Sequence, residues 1–152
     1  MYFGDIVSTK CVHNSINNIK SQCLSVIYTT YMRLYITHAT SYDYKTELYK
    51  PLKEMFSQEY EFIFPHDESN VGKNSKGIIE KSDTVIAEVS FPSTGQGIEL
   101  GWANILGVPI ICLYRSGAKP SGALQLVATH FIEYGSSKEM TEELLRYFEN
   151  KI

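Results

Sequence analysis

The sequence predicts an α/β domain built on a doubly wound parallel sheet of about five strands. Three observations carry this. From Met32 onward, short apolar runs alternate with segments of helical periodicity, the pattern of successive βα units. Two of the runs, Thr84 to Val89 and Pro109 to Tyr114, are almost continuously apolar, as strands covered on both faces are. The chain has 152 residues, 43% of them hydrophobic and 20% charged, which suffices for one domain with a sizeable core.

The elements follow in order. Strand one is Leu34 to Thr37. A helix is expected from about Asp43 to Ser57, because Leu48, Leu52, Met55 and Phe56 recur at helical spacing. Pro51 lies inside it and predicts a kink or a helix start partway along. Strand two is Glu61 to Phe64, stopped by Pro65, and a short helix fits Lys73 to Lys81. Strand three is Thr84 to Val89. A helix fits Gly97 to Leu106, with Gly107 as its C-terminal glycine. Strand four is Pro109 to Tyr114, and a short strand covers Phe131 to Glu133. Ser136 and Glu139 have capping-box spacing at the head of the last helix. That helix buries Met140, Leu144, Leu145 and Phe148. Right-handed crossovers leave few arrangements, of which a flavodoxin-like or Rossmann-like sheet fits best. Residues 1–31 are rich in Ser, Asn, Thr and Ile without sustained periodicity, and read as an accessory or poorly ordered extension to a domain at 32–152.

Composition narrows the function. A net charge of -3 gives no basic field for a nucleic-acid polymer or an anionic membrane. No stretch is long and apolar enough for a membrane span, and no signal peptide is evident at the N-terminus. The three cysteines, Cys11, Cys23 and Cys112, have no metal-ligand spacing, and their odd number favours a reducing, cytoplasmic setting. No metal or cofactor is expected.

In doubly wound sheets ligands sit beyond the carboxyl ends of the strands. The exit of strand three is the richest such segment. Pro92 fixes the chain as it leaves the sheet, and Ser93, Thr94, Gly95 and Gly97 form a small polar turn into a helix whose free N–H groups favour an anion. The G-x-G spacing lacks the third glycine of a dinucleotide fingerprint. Glu99 follows in what reads as the first helical turn, where the positive helix end stabilises an ionised carboxylate. By position alone Glu99 is equally a helix-start residue or the reacting group of a site.

The run D-T-V-I-A-E-V-S-F-P-S-T-G-Q-G-I-E-L-G-W-A, Asp83 to Ala103, resembles the signature of the nucleoside 2-deoxyribosyltransferase family, and within it the 2'-deoxynucleoside 5'-phosphate N-hydrolase branch. Weaker likeness runs from Met32 to the C-terminus and takes in L-Y-I-T, I-I-C-L-Y and K-P-S-G-A-L. The resemblance implies a flavodoxin-like fold that cleaves the bond between a base and C1' of a deoxyribose. It implies Glu99 as a nucleophile forming a covalent glycosyl-enzyme, and Tyr35 as the tyrosine near the sugar. It implies Ser93 as a contact of the 5'-phosphate and Gly95 and Gly97 as a close approach of backbone to substrate. Ser121 falls where the family sends a loop into a neighbouring subunit's site, so at least a homodimer with a shared active site is implied.

Two departures stand out. The family carries an aspartate eight residues before the one that opens strand three, and it helps protonate or position the base. Here that position is Ser75. The loop F-P-H-D-E-S-N offers His66, Asp67 and Glu68 as proton-transfer groups, with Asp67 the candidate replacement acid. The branch's arginine-containing loop after strand one reads T-H-A-T-S-Y-D, leaving His38, Thr40 and Ser41 as polar contacts for a sugar or phosphate. The expected activity is cleavage or transfer at the N-glycosidic bond of a nucleoside or nucleotide. The alternatives are a catalytically impaired nucleotide-sensing module and a nicotinamide-dinucleotide glycohydrolase.

Overall fold

A computed structural model describes residues 31–55, 60–68, 70 and 72–150. The expected extension at 1–31 falls, except for Tyr31, outside the described residues, as does the end of the first helix beyond 55. Five parallel strands form one sheet in the order β2-β1-β3-β4-β5. They are β1 (Met32–His38), β2 (Tyr60–Ile63), β3 (Thr84–Glu88), β4 (Ile110–Arg115) and β5 (His130–Tyr134). The helices are α1 (Lys50–Met55), α2 (Ser75–Ile79), α3 (Thr94–Leu106) and α4 (Ser137–Glu149), with a 3-10 turn at Gly122–Leu126. This is the flavodoxin-like order, and the switch in strand order lies between β1 and β3.

Strand alternation explains why helices cover both faces. Leu34, Ile36, Ile86, Ile111, Leu113 and Ile132 point to one side and pack with Leu48 and Leu52 below and Met140, Leu144 and Phe148 of α4. Tyr35, Val85, Ala87, Ile110 and Cys112 point to the other and pack with Ile79 of α2 and Leu100 and Ala103 of α3. Each fully buried Leu or Ile contributes about 1.5–3 kcal/mol, so both faces must be covered for the sheet to be stable. Burial also pushes the Cys112 thiol up to about 12, keeping it unreactive.

Strand bounds shift from expectation by a residue or two at their ends, while three differences have clear causes. The expected helix at Asp43 begins instead as a π-helical turn, Lys45–Tyr49, and becomes α1 at Lys50. The change falls just before Pro51, which has no N–H for the Glu47 carbonyl. The Ser137 hydroxyl donates to that carbonyl at 2.8 Å instead, joining the π turn to α4. The helix expected at Lys73 to Lys81 is shorter, because Asn74 caps it by accepting from the Lys76 N–H. The helix expected at Gly97 starts at Thr94. Ser93 adopts extended backbone angles and caps it, its hydroxyl accepting from the Gln96 N–H. Ser136 caps α4 in the same way, and Glu139 returns to the Gly135 N–H at 2.7 Å.

Gly107 ends α3 in the left-handed region, with φ 71° and ψ 17°, whereas Gly101 sits inside the helix with open space where a Cβ would be. Two substitutions to alanine are therefore expected to act in opposite directions. Gly107→Ala lowers stability by about 1 kcal/mol through backbone strain, and Gly101→Ala raises it by about 0.5–1 kcal/mol through helix propensity. Urea denaturation of the two variants measures both.

Candidate active site

The site is built on β1 and α3. Tyr35 and Thr37 are two residues apart on one strand, so both side chains point to the α3 face. α3 starts beyond the carboxyl end of β3, packs back over that face of the sheet and presents Glu99 to them. The Tyr35 hydroxyl donates to Glu99 Oε1 at 2.7 Å and the Thr37 hydroxyl donates to Oε2 at 2.5 Å. Both donors are fully buried and Glu99 is half-buried, so both carboxylate oxygens are fixed from the protein side. With Ser93 as the cap, Glu99 stands in the second turn of α3, not the first. The first-turn helix end therefore does not hold this carboxylate, contrary to expectation. The two strand hydroxyls do.

Gln96, also buried, donates from Nε2 to the Thr37 carbonyl at 3.1 Å and to the Glu88 carbonyl at 2.7 Å. It joins the ends of β1 and β3 at the switch point. Ser75 stands at the start of α2, close enough to the Tyr35 phenol to affect its acidity. Burial pushes the Tyr35 phenol far above its usual range, with the Ser75 side chain opposing the rise and the Glu99 carboxylate adding to it. Tyr35 is thus a permanent donor to Glu99 at neutral pH.

The other expected site residues divide into three places. Ser93, Gly97 and Ser121 come together. They line a cavity of about 540 Å³ beside α3, with Gln96, Lys119 and Leu124. Gly95 lies in the exposed first turn of the same helix. Neither Gly95 nor Gly97 has an unusual backbone angle, and both face open space. Ser121 already borders this cavity within its own chain. His38 does not join Glu99. It follows Thr37 on β1 and so faces the opposite side of the sheet. It is buried, Nδ1 lies 2.8 Å from the Ala39 carbonyl, and Nε2 lies 2.7 Å from the Tyr49 hydroxyl. Asp67 is bound by the Lys53 ammonium at 2.7 Å on the rim of another cavity, of about 750 Å³, with Tyr49 and His66. Among the described residues no His, Cys, Asp and Glu cluster could hold a metal ion, and no helix is long and apolar enough to cross a membrane.

Several side chains escaped the sequence reading. Thr37 was legible in hindsight from its two-residue spacing to Tyr35. Glu88 was not, being a fully buried carboxylate in a strand that reads as apolar. Its Oε1 accepts from the Ser90 hydroxyl and from Tyr134 at 3.0 Å, while Oε2 and the neighbouring Tyr42 hydroxyl are buried without a partner at bonding distance. Arg115 caps this knot. Its guanidinium lies 4.8 Å from the Tyr42 ring centroid and 5.1 Å from that of Phe91, and it pairs with Glu47 at 2.9 Å.

The chain is 42% identical over 76 residues to 5-hydroxymethyl-dUMP N-hydrolase of Mus musculus, covering 47% of this chain and 44% of that protein. It is 35% identical over 66 residues to a Methanosarcina barkeri protein provisionally named 2'-deoxynucleoside 5'-phosphate N-hydrolase 1, covering 43% and 42%. Its sequence relatives are nucleotide N-hydrolases. The matches span less than half the length of these relatives. No established family profile matches the chain. Two solved structures bear out the fold. The Clostridium botulinum CMP N-glycosidase superposes with a TM-score of 0.57 at 22% identity, over 74% of this chain and 97% of that one. A conserved protein from Enterococcus faecalis V583 gives 0.56 at 13% identity, over 81% and 100%.

Burial pulls the His38 imidazole from its ordinary 6.5 down to about 4, the nearby His66 adding to the fall and the Ala39 bond opposing it. Below 6.5 the unfolded chain takes up a proton that the folded chain refuses. The stability contributed here is full above about 6.5 and is lost as pH falls to about 4, by up to about 3 kcal/mol. Urea midpoints measured across that window are expected to fall with pH, and more steeply in the parent than in His38→Gln.

Proposed function

We propose that this protein hydrolyses the N-glycosidic bond of a 2'-deoxynucleoside 5'-monophosphate, with Glu99 as nucleophile. The observation that carries the reading is the half-buried Glu99 carboxylate, held by Tyr35 and Thr37 at the switch point of the sheet. The names of the relatives support the substrate class. In the proposed reaction one Glu99 oxygen attacks C1' as the bond to the base breaks. Positive charge develops on the ring oxygen and C1', and the adjacent carboxylate stabilises it, as in retaining glycosidases. Water then attacks C1' of the glycosyl ester and releases Glu99. Tyr35 and Thr37 fix both carboxylate oxygens, so little reorganisation is needed at the moment of attack.

The 5'-phosphate is assigned to the first turn of α3. Ser93 keeps its hydroxyl proton for an anion, since its oxygen is the accepting partner of the cap. Lys119, across the same cavity, supplies the cation that the loop after β1 lacks. The active assembly is proposed to be a homodimer. Ile98 and Ile105 lie a heptad apart on α3 and are 50% and 82% exposed, and Leu126 near the Ser121 loop is 84% exposed. A reducing, cytoplasmic setting suits a chain with a free, buried Cys112.

Incubation with deoxynucleosides, their monophosphates and a nicotinamide dinucleotide, followed by chromatography of the free base, tests the reading. Monophosphates are expected to be cleaved, and Glu99→Gln to lower release by about 1000-fold or more. Retained activity in that variant removes the nucleophile. Tyr35→Phe and Thr37→Val each remove one bond to a charged group and are expected to lower kcat about 10- to 100-fold. Binding of nucleotide without any turnover favours a sensing role. In sedimentation velocity the parent is expected to run as a dimer and Ile105→Glu as a monomer.

A further inference from the structure

Among the described residues, the side chains that hydrogen-bond Glu99 are hydroxyls, and their protons are engaged on it. Tyr35 gives its proton to Glu99 Oε1 and Thr37 gives its own to Oε2. The position beside Tyr35 at the start of α2 is a hydroxyl, Ser75, and not a carboxyl. Among the described residues, the carboxyl and imidazole groups of the loop after β2, His66, Asp67 and Glu68, line the separate cavity beside Lys53. Asp67 is tied to Lys53, and Glu88 is fully buried on the other face of the sheet beneath Tyr134. Both nitrogens of His38 are engaged on that other face, and His66 meets its ring edge-on with the centroids 5.1 Å apart. Among the described residues, none of the hydrogen bonds that converge on Glu99 comes from a group acidic enough to protonate a leaving base at neutral pH.

We infer that this site cleaves the glycosidic bond without side-chain acid catalysis, so that the acidity of the departing base sets the rate and selects the substrates. The inference rests on the N-hydrolase reading given above. As the bond from Glu99 to C1' forms, the C1'–N bond breaks and its electron pair leaves with the base as an anion. That anion takes a proton from water. A second water adds to C1', the C1'–O bond to Glu99 breaks, and the water's proton neutralises the hydroxide left by the first. The sum is nucleotide plus water giving the sugar phosphate and the neutral base. Substrates are then nucleotides whose base holds negative charge well at its glycosidic nitrogen. Bases that must be protonated before they leave react slowly.

A series of 2'-deoxyuridine 5'-monophosphates with hydrogen, methyl, hydroxymethyl, fluoro or nitro at C5, together with the cytosine nucleotide, tests this. Without a general acid, kcat is expected to rise by about tenfold for each unit by which the N1–H of the free base becomes more acidic. Ser75→Asp places a carboxyl beside Tyr35, at a helix start that tolerates an acidic residue. It is expected to flatten the dependence to about threefold or less per unit and to accelerate the poorest leaving bases about 100-fold or more. A flat dependence in the parent overturns the inference while leaving the N-hydrolase reading in place. Absence of release even from the nitro and fluoro compounds overturns that reading itself, and the inference with it.

Discussion

The Gln96 amide donates to the Thr37 and Glu88 carbonyls and so ties the ends of β1 and β3 to the first turn of α3. The remaining site geometry depends on that tie. In a parallel sheet the last carbonyls of adjacent strands have no further ladder partner, and at the switch point they face the crevice where a ligand enters. One buried amide satisfies two of them and sets the height of α3 above the sheet. Glu99 is three residues further along the same helix, so its distance from Tyr35 and Thr37 is fixed by the same contact. An unpaired carbonyl at this depth would cost about 1–3 kcal/mol, which gives the tie an energetic as well as a geometric role.

The sheet divides its polar chemistry between two faces. On the α3 face a hydroxyl network holds Glu99 half-open. On the α1 and α4 face lie Glu88, Tyr134, His38 and Tyr49, all withdrawn from solvent, with the buried hydroxyl of the half-buried Tyr42. Burial there pushes the Tyr134 phenol up to about 12, with Glu88 adding to the rise. These groups hold the loops that follow β1, β3 and β4 against one another. The Ser90 hydroxyl, donating to Glu88, also accepts from the Arg115 N–H at 2.8 Å. Side chains that face α3 and those that brace the loops thus alternate along the strands, Thr37 with His38 and Ala87 with Glu88.

The fold was legible because period-two and period-3.6 patterns are written by burial, and this core is strongly apolar on both faces. Glu99 was legible as a candidate through the long motif around it, and Tyr35 through the L-Y-I-T likeness in strand one. Local backbone geometry was less so. Ser93 to Gly97 reads as a turn by composition, yet the cap at Ser93 and packing of Gln96 and Leu100 override the low helix propensity of two glycines. His38 reads as a polar strand-end group, and only the pairing register shows which face it takes. Asp67 reads as a free acid because the Lys53 that binds it is distant in sequence. Nothing in a single chain announces a contact of that kind.

The π-helical turn before α1 behaves like a one-residue insertion. Each residue of an α-helix turns the chain by about 100°, so an extra residue in one turn rotates everything before it relative to everything after. Here the turn spans Lys45–Tyr49, with the Lys50 N–H closing on the Lys45 carbonyl. It lets Leu48 and Leu52 keep their places in the core while Tyr49 still reaches the His38 ring. A relative with one residue fewer in this segment could form a regular helix and keep the hydrophobic contacts. It would lose the tyrosine from beneath β1. Length variation here would therefore be read in the polarity under the first strand, while the outline of the fold stayed the same.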